Sequence, residues 1–76
     1  MEGYSKQIKR ISWKISVNMK SILFIDTKLL EPENSNVGVT GLLNHYWYMK
    51  RRVEYVEAYE RAQRELITQL RAENII

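Results

Sequence analysis

Beyond Gly41 the chain runs for 35 residues to Ile76 with neither proline nor glycine. That run, with Thr40 as a candidate N-cap, predicts one long helix over about residues 41–73. At 1.5 Å per residue the helix would reach about 50 Å, more than a small globule can cover. Some of its surface must therefore project or meet a partner.

The apolar residues of this segment repeat. Leu42, Met49, Val56, Gln63 and Leu70 recur every seven residues, with Tyr46, Val53, Glu60 and Ile67 between them. These are the d and a positions of a left-handed coiled coil, interrupted near the middle by Glu60 and Gln63. A second stripe, Tyr48, Tyr55, Tyr59, Ala62 and Leu66, lies beside the first, so the apolar arc is wider than one seam needs. One stripe is available to cover the rest of the chain while the other meets a partner.

The N-terminal segment carries two conflicting patterns. Ile11, Trp13, Ile15 and Val17 alternate with Ser12, Lys14 and Ser16, the period-two signature of a half-buried strand. Ser21 to Ile25 reads as a second strand, with Asn18, Met19 and Lys20 as the turn. Against this, Ile8, Ile11, Ile15, Met19 and Ile22 are spaced by three or four, as in a helix. The stiff β-branched residues and Trp13 tip the choice to strands. The expected fold is α+β: a single domain over 1–76, with a β-hairpin in 1–26 (strands about 8–17 and 21–26), a connecting loop over 27–39 and the long helix in 40–76. An all-α arrangement is the alternative. Pro32, Asn34, Ser35, Asn36 and Gly38 mark the loop, and Leu29 and Leu30 are its candidate anchors.

Size narrows the function. A chain of 76 residues seldom derives more than about 3–5 kcal/mol from its core, and small domains usually add disulfides, a metal or a second subunit. With no cysteine and only His45 as histidine, the first two supports are not expected, which points to a homodimer, another homo-oligomer or a larger protein complex. The longest apolar run, Ile22 to Ile25, is far below the roughly 18–20 residues of a membrane span, and no secretion signal is read at the N-terminus. A cytoplasmic address is expected, the host cytoplasm for a viral product.

Catalytic chemistry finds no foothold in the pattern. No catalytic, metal or cofactor residues are assigned: His45 lacks a second ligand, Asp26 ends an apolar run without a second carboxylate, and Gly38 to Gly41 lacks the ending of a phosphate loop. Interaction chemistry is richer. Tyr46, Trp47, Tyr48, Arg51, Arg52, Tyr55, Tyr59, Leu66, Ile67 and Leu70 are the candidate partner-binding residues, since tyrosine, tryptophan and arginine dominate protein hot spots.

Nucleic acid is the alternative ligand. Residues 1–29 hold six basic side chains against two acidic ones within a net charge of +3, and Lys9, Arg10, Lys14, Lys50, Arg51 and Arg52 would serve it. The expected function is a small non-enzymatic protein that occupies a partner surface sterically. A phage or mobile-element inhibitor or regulator, or an accessory subunit of a large assembly, fits that description.

Overall fold

The residues expected to alternate across a strand wind into a helix instead. The computed structural model describes residues 4–34 and 38–76. Helix α1 spans Lys6–Leu29, a 3-10 turn follows at Pro32–Asn34, and helix α2 spans Gly38–Ala72. No strand occurs among the described residues, which corrects the β-hairpin and leaves the all-α alternative in its place. Ser35 and Asn36, named above as loop markers, lie with Val37 outside the described residues.

Two features decide α1. Neither proline nor glycine interrupts the chain from Tyr4 to Glu31, and Ser5, extended at φ −65°, caps the helix by accepting the Ile8 N–H at 3.2 Å. The second is spacing. Ile8, Ile11, Ile15, Asn18, Ile22, Ile25 and Leu29 follow steps of three and four, and every one is buried or half-buried. The alternating set does not share a face: Ile11 is 8% exposed and Trp13 is 67% exposed. A β-branched residue loses only a few tenths of a kcal/mol in a helix, whereas burying an isoleucine gains roughly 1.5–3 kcal/mol. Burial wins.

α1 ends just ahead of Pro32, whose ring disfavours helical geometry in the residue before it. The Leu30 and Glu31 N–H groups turn back to the Thr27 and Lys28 carbonyls. Asn34, buried under the turn, donates to the Lys28 carbonyl at 3.0 Å and to the Glu31 carboxylate at 3.3 Å. Of the two expected anchors, Leu29 is half-buried and Leu30 is exposed.

Helix α2 begins at Gly38, two residues before the expected cap at Thr40. Gly38 sits at φ +76°, in the left-handed region that favours glycine. At the other end Asn74 takes φ +59°, the Ile75 N–H reaches the Leu70 carbonyl at 2.9 Å, and the Asn74 N–H reaches Arg71 at 3.1 Å. This is a Schellman cap, with asparagine in the place glycine usually takes.

The helices pack antiparallel, joined by three polar contacts along their length. Ser5 Oγ donates to Glu73 Oε2 at 2.6 Å, Lys14 Nζ lies 3.7 Å from Glu65, and Arg52 Nε donates to Asp26 Oδ1 at 2.7 Å. The sequence predicts that a helix of this length outruns the cover a small globule can give it. Instead α1, about 36 Å long, extends to Glu73, and the turn covers the start of α2, where Asn44 donates to the Glu33 carbonyl. The deeply buried apolar core among the described residues is thin: Ile8, Ile11, Ile22, Ile25 and Ala62. The chain is a rod of 53 × 19 × 15 Å with a radius of gyration of 16.7 Å, against about 11 Å for a compact domain of this length.

Candidate functional site

Helix α2 carries two heptad repeats offset by one residue, and packing against α1 separates them. Gly41, His45, Tyr48, Arg52, Tyr55, Tyr59, Ala62, Leu66, Gln69 and Glu73 are all buried or half-buried. In the neighbouring repeat, Leu42, Tyr46, Met49, Val53, Glu60, Gln63 and Ile67 are exposed, and only Val56 and Leu70 are half-covered. The tyrosine stripe thus belongs to the intramolecular seam, and the more regular repeat faces outward.

Electrostatics explains the choice. Turning the regular repeat inward would press Glu60 and Gln63 against the isoleucine seam of α1, where a carboxylate without a partner is costly. The polar members of the inward repeat have partners instead. Arg52 meets Asp26, while Glu73 accepts from Ser5 and from Gln69 Nε2, each at 2.6 Å. Those two hydrogen bonds, Ser5 first, hold the Glu73 carboxyl below its ordinary range despite some opposing desolvation. His45 is the exception in this seam: its Nδ1 is buried without a hydrogen-bond partner among the described residues.

Two apolar faces flank the seam. On one, Tyr46, Met49, Lys50, Val53 and Glu54 line a shallow hollow along the outward repeat. Heptad geometry sets Met19 and Leu23 of α1 on this same side, and both are exposed. On the opposite flank an open groove of about 480 Å³ is lined by Lys20, Ser21, Phe24, Ile25, Tyr48, Arg51 and Tyr55. Aromatic rings there are covered by cations of their own helix: Arg51 lies 4.6 Å over Trp47, and Lys28 lies 5.4 Å over Phe24.

The structure distributes the ten candidate partner-binding residues among these places. Tyr46 and Ile67 lie on the outward repeat, with Leu70 half-covered at its end beside Tyr4 and Ile8. Tyr48, Arg51 and Tyr55 line the groove, with Trp47 beside it under Arg51, while Tyr59, Leu66 and Arg52 serve the seam. Sequence reasoning missed Phe24, Met19 and Leu23, because a strand assignment hides which side of α1 they share. The seven-residue recurrence of Val17 with Phe24 was the available signal.

The nucleic-acid candidates do not gather. Lys14, Arg51 and Arg52 are paired with Glu65, Glu54 and Asp26. Lys9 and Arg10 sit at the end of the rod near Glu73, about 24 Å along α1 from the level of Asp26 and Arg52. Among the described residues no group of three or more histidine, cysteine or acidic side chains is placed to hold a metal, and no helix is long and apolar enough to cross a membrane. No protein-family model, curated protein or solved structure matches this chain.

Proposed function

We propose that this protein is a non-enzymatic binding protein that acts by laying a face of its helical hairpin on another polypeptide. Such steric occupation suits a small inhibitor or regulator, or an accessory subunit of a larger complex. The observation that carries this reading is the apolar surface exposed on both flanks of a finished intramolecular seam. Contiguous exposed apolar side chains mark interfaces, and here they include tryptophan, tyrosine and arginine, the residues that dominate hot spots.

The groove lined by Phe24 and Arg51, with Trp47 under Arg51 beside it, is the face assigned to the larger partner. Its aromatics supply the contact area, with Arg51 and Lys28 over their faces and each of those cations already facing a neighbouring carboxylate, Glu54 or Glu31. Nucleic acid is less well served, because three of its six candidate cations already face carboxylates.

A photo-crosslinking residue at Trp47, compared with one at Lys9 in cells that make the protein naturally, tests the proposal. The expected result is a discrete polypeptide adduct at Trp47 that is weak or absent at Lys9. Equal adducts at both positions, or adducts with nucleic acid alone, would overturn it.

A further inference from the structure

Apart from Val56 and Leu70, the outward repeat of α2 lies exposed among the described residues, and its charges specify what fits there. We propose that a second copy of this chain docks on it antiparallel, α2 against α2, to give a four-helix bundle with its two-fold axis between Glu54 and Tyr55. The inference rests on the protein-binding reading and assigns one of the two faces to self-association, leaving the Trp47 groove for the larger partner.

Surface area provides the first argument. A compact monomer of 9.1 kDa exposes about 4,900 Å², and this chain exposes 5872 Å². The surplus is about 1,000 Å² per chain. That excess, spread over the rod, is of the same order as the roughly 800 Å² each partner gives to a standard stable interface, so a dimer of this chain has area to bury. The face is the right one for this purpose, because Tyr46, Met49 and Val53 form an apolar hollow, whereas Trp47 and Phe24 on the other flank lie under Arg51 and Lys28.

Charge fixes direction and register. A parallel, in-register pair would set Glu60 against the partner's Glu60 inside the seam. In the antiparallel arrangement with the axis between Glu54 and Tyr55, Val53 meets the partner's Val56, Met49 meets the partner's Glu60, Tyr46 meets the partner's Gln63 and Leu42 meets the partner's Ile67, so Glu60 and Gln63 stand apart from their own copies and lower the affinity of the contact while setting its register. Lys50 and Glu57 flank this stripe on its outer edge, so Lys50 lies beside the partner's Glu57, and the symmetry makes the pair twice. Sliding by one heptad in one direction brings Lys50 to the partner's Lys50. Sliding the other way brings Glu57 to the partner's Glu57. Of these three registers only the central one pairs opposite charges. It also places Leu23 of α1, level with residue 55 of α2 by the pairing of Asp26 with Arg52, next to the two-fold axis.

The experiment uses the full chain in sedimentation equilibrium, with helix content followed by circular dichroism. The unmodified protein should sediment at twice 9.1 kDa. Lys50→Glu alone and Glu57→Lys alone should each weaken the dimer at least about tenfold, and the double variant Lys50→Glu with Glu57→Lys should recover to within about threefold of the original. Mixing the two single variants supplies the sharper readout: each homodimer carries two repulsive pairs, while their heterodimer carries two attractive ones, so the mixture should associate where neither component does. Since both positions are exposed, unchanged circular dichroism should accompany every variant. A monomer at all concentrations, with or without nucleic acid bound, overturns the proposal, and so does a dimer indifferent to the swaps. A monomer that still gives the Trp47 polypeptide adduct overturns self-association alone and leaves the protein-binding reading standing.

Discussion

Ile11 and Trp13 are two residues apart, so a strand would place both on one buried face, whereas the helix puts Ile11 in the seam and turns Trp13 to the back. Truncating each to alanine separates the two geometries. Ile11→Ala removes three carbons that are almost wholly covered, worth about 2.4 kcal/mol at roughly 0.8 kcal/mol for each. A residual cavity would add to that. Ile11, however, borders an open hollow with Arg61, Arg64, Glu65, Thr68 and Gln69, so water can fill the space, and alanine regains about 0.4 kcal/mol of helix propensity. The expected loss is about 2 kcal/mol, near a thirtyfold fall in the folding constant and roughly half the stability of a chain this size. Trp13→Ala removes a larger side chain that is 67% exposed, much of the remainder being shielded by its own helix, and it gains the same propensity. Its loss should stay below about 0.5–1 kcal/mol. Urea melts followed at 222 nm, at fixed chain concentration, should show the midpoint falling by about 1–2 M for Ile11→Ala and by well under 1 M for Trp13→Ala. If Trp13→Ala costs as much as Ile11→Ala, both side chains face a core and the helical assignment of residues 6–29 is refuted.

Gly38 makes a clean test of backbone conformation, because nothing lies within 4 Å of where its Cβ would stand. Gly38→Ala should destabilise by about 1 kcal/mol through its positive φ alone, and the D-alanine variant made by synthesis should restore or exceed the original melting temperature; equal loss from both would show that the left-handed geometry is not what the site requires. Glu73 should leave a trace in acid titrations. Its carboxyl is held below the usual range in the folded chain, so its contribution is complete above the unfolded value and disappears as pH falls through the lowered folded one. Glu73→Gln should flatten the part of the stability profile below about pH 4.5, and an unchanged acid limb would contradict the Ser5 contact.

The C-terminal helix was legible in the sequence because thirty-five residues without proline or glycine leave a heptad pattern few other readings. Its two repeats were visible as well. Which of them turns inward was not, since they differ by a one-residue rotation and the answer depends on what α1 offers: Asp26 for Arg52, Ser5 for Glu73, nothing for Glu60. α1 was misread because Ile11 and Ile15 satisfy both a period of two and a helical spacing over a short window. The pattern separates over the whole segment, where Ile8, Ile22, Ile25 and Leu29 keep the steps of three and four and the alternation stops. Asn18 hid that continuity, since a polar residue at a seam position looks like the turn of a hairpin. The charge of the N-terminal third was read correctly as a total, but its spatial spread depended on the antiparallel pairing, which sets Lys14 on Glu65 and keeps Lys9 and Arg10 far from Lys50.

The Ser5 hydroxyl joins two helix ends at once, accepting from the first turn of α1 while donating to Glu73 just past the last turn of α2. The contact spans 68 positions of chain, so a hairpin that zips from the turn at Pro32–Asn34 forms it last and opens it first. Fraying at this end is therefore shared. When Glu73 leaves, the α1 cap loses an anchor and the Schellman turn beside it loses its fixed neighbour, so the two ends should exchange their amide protons as one local unit rather than as two independent tips.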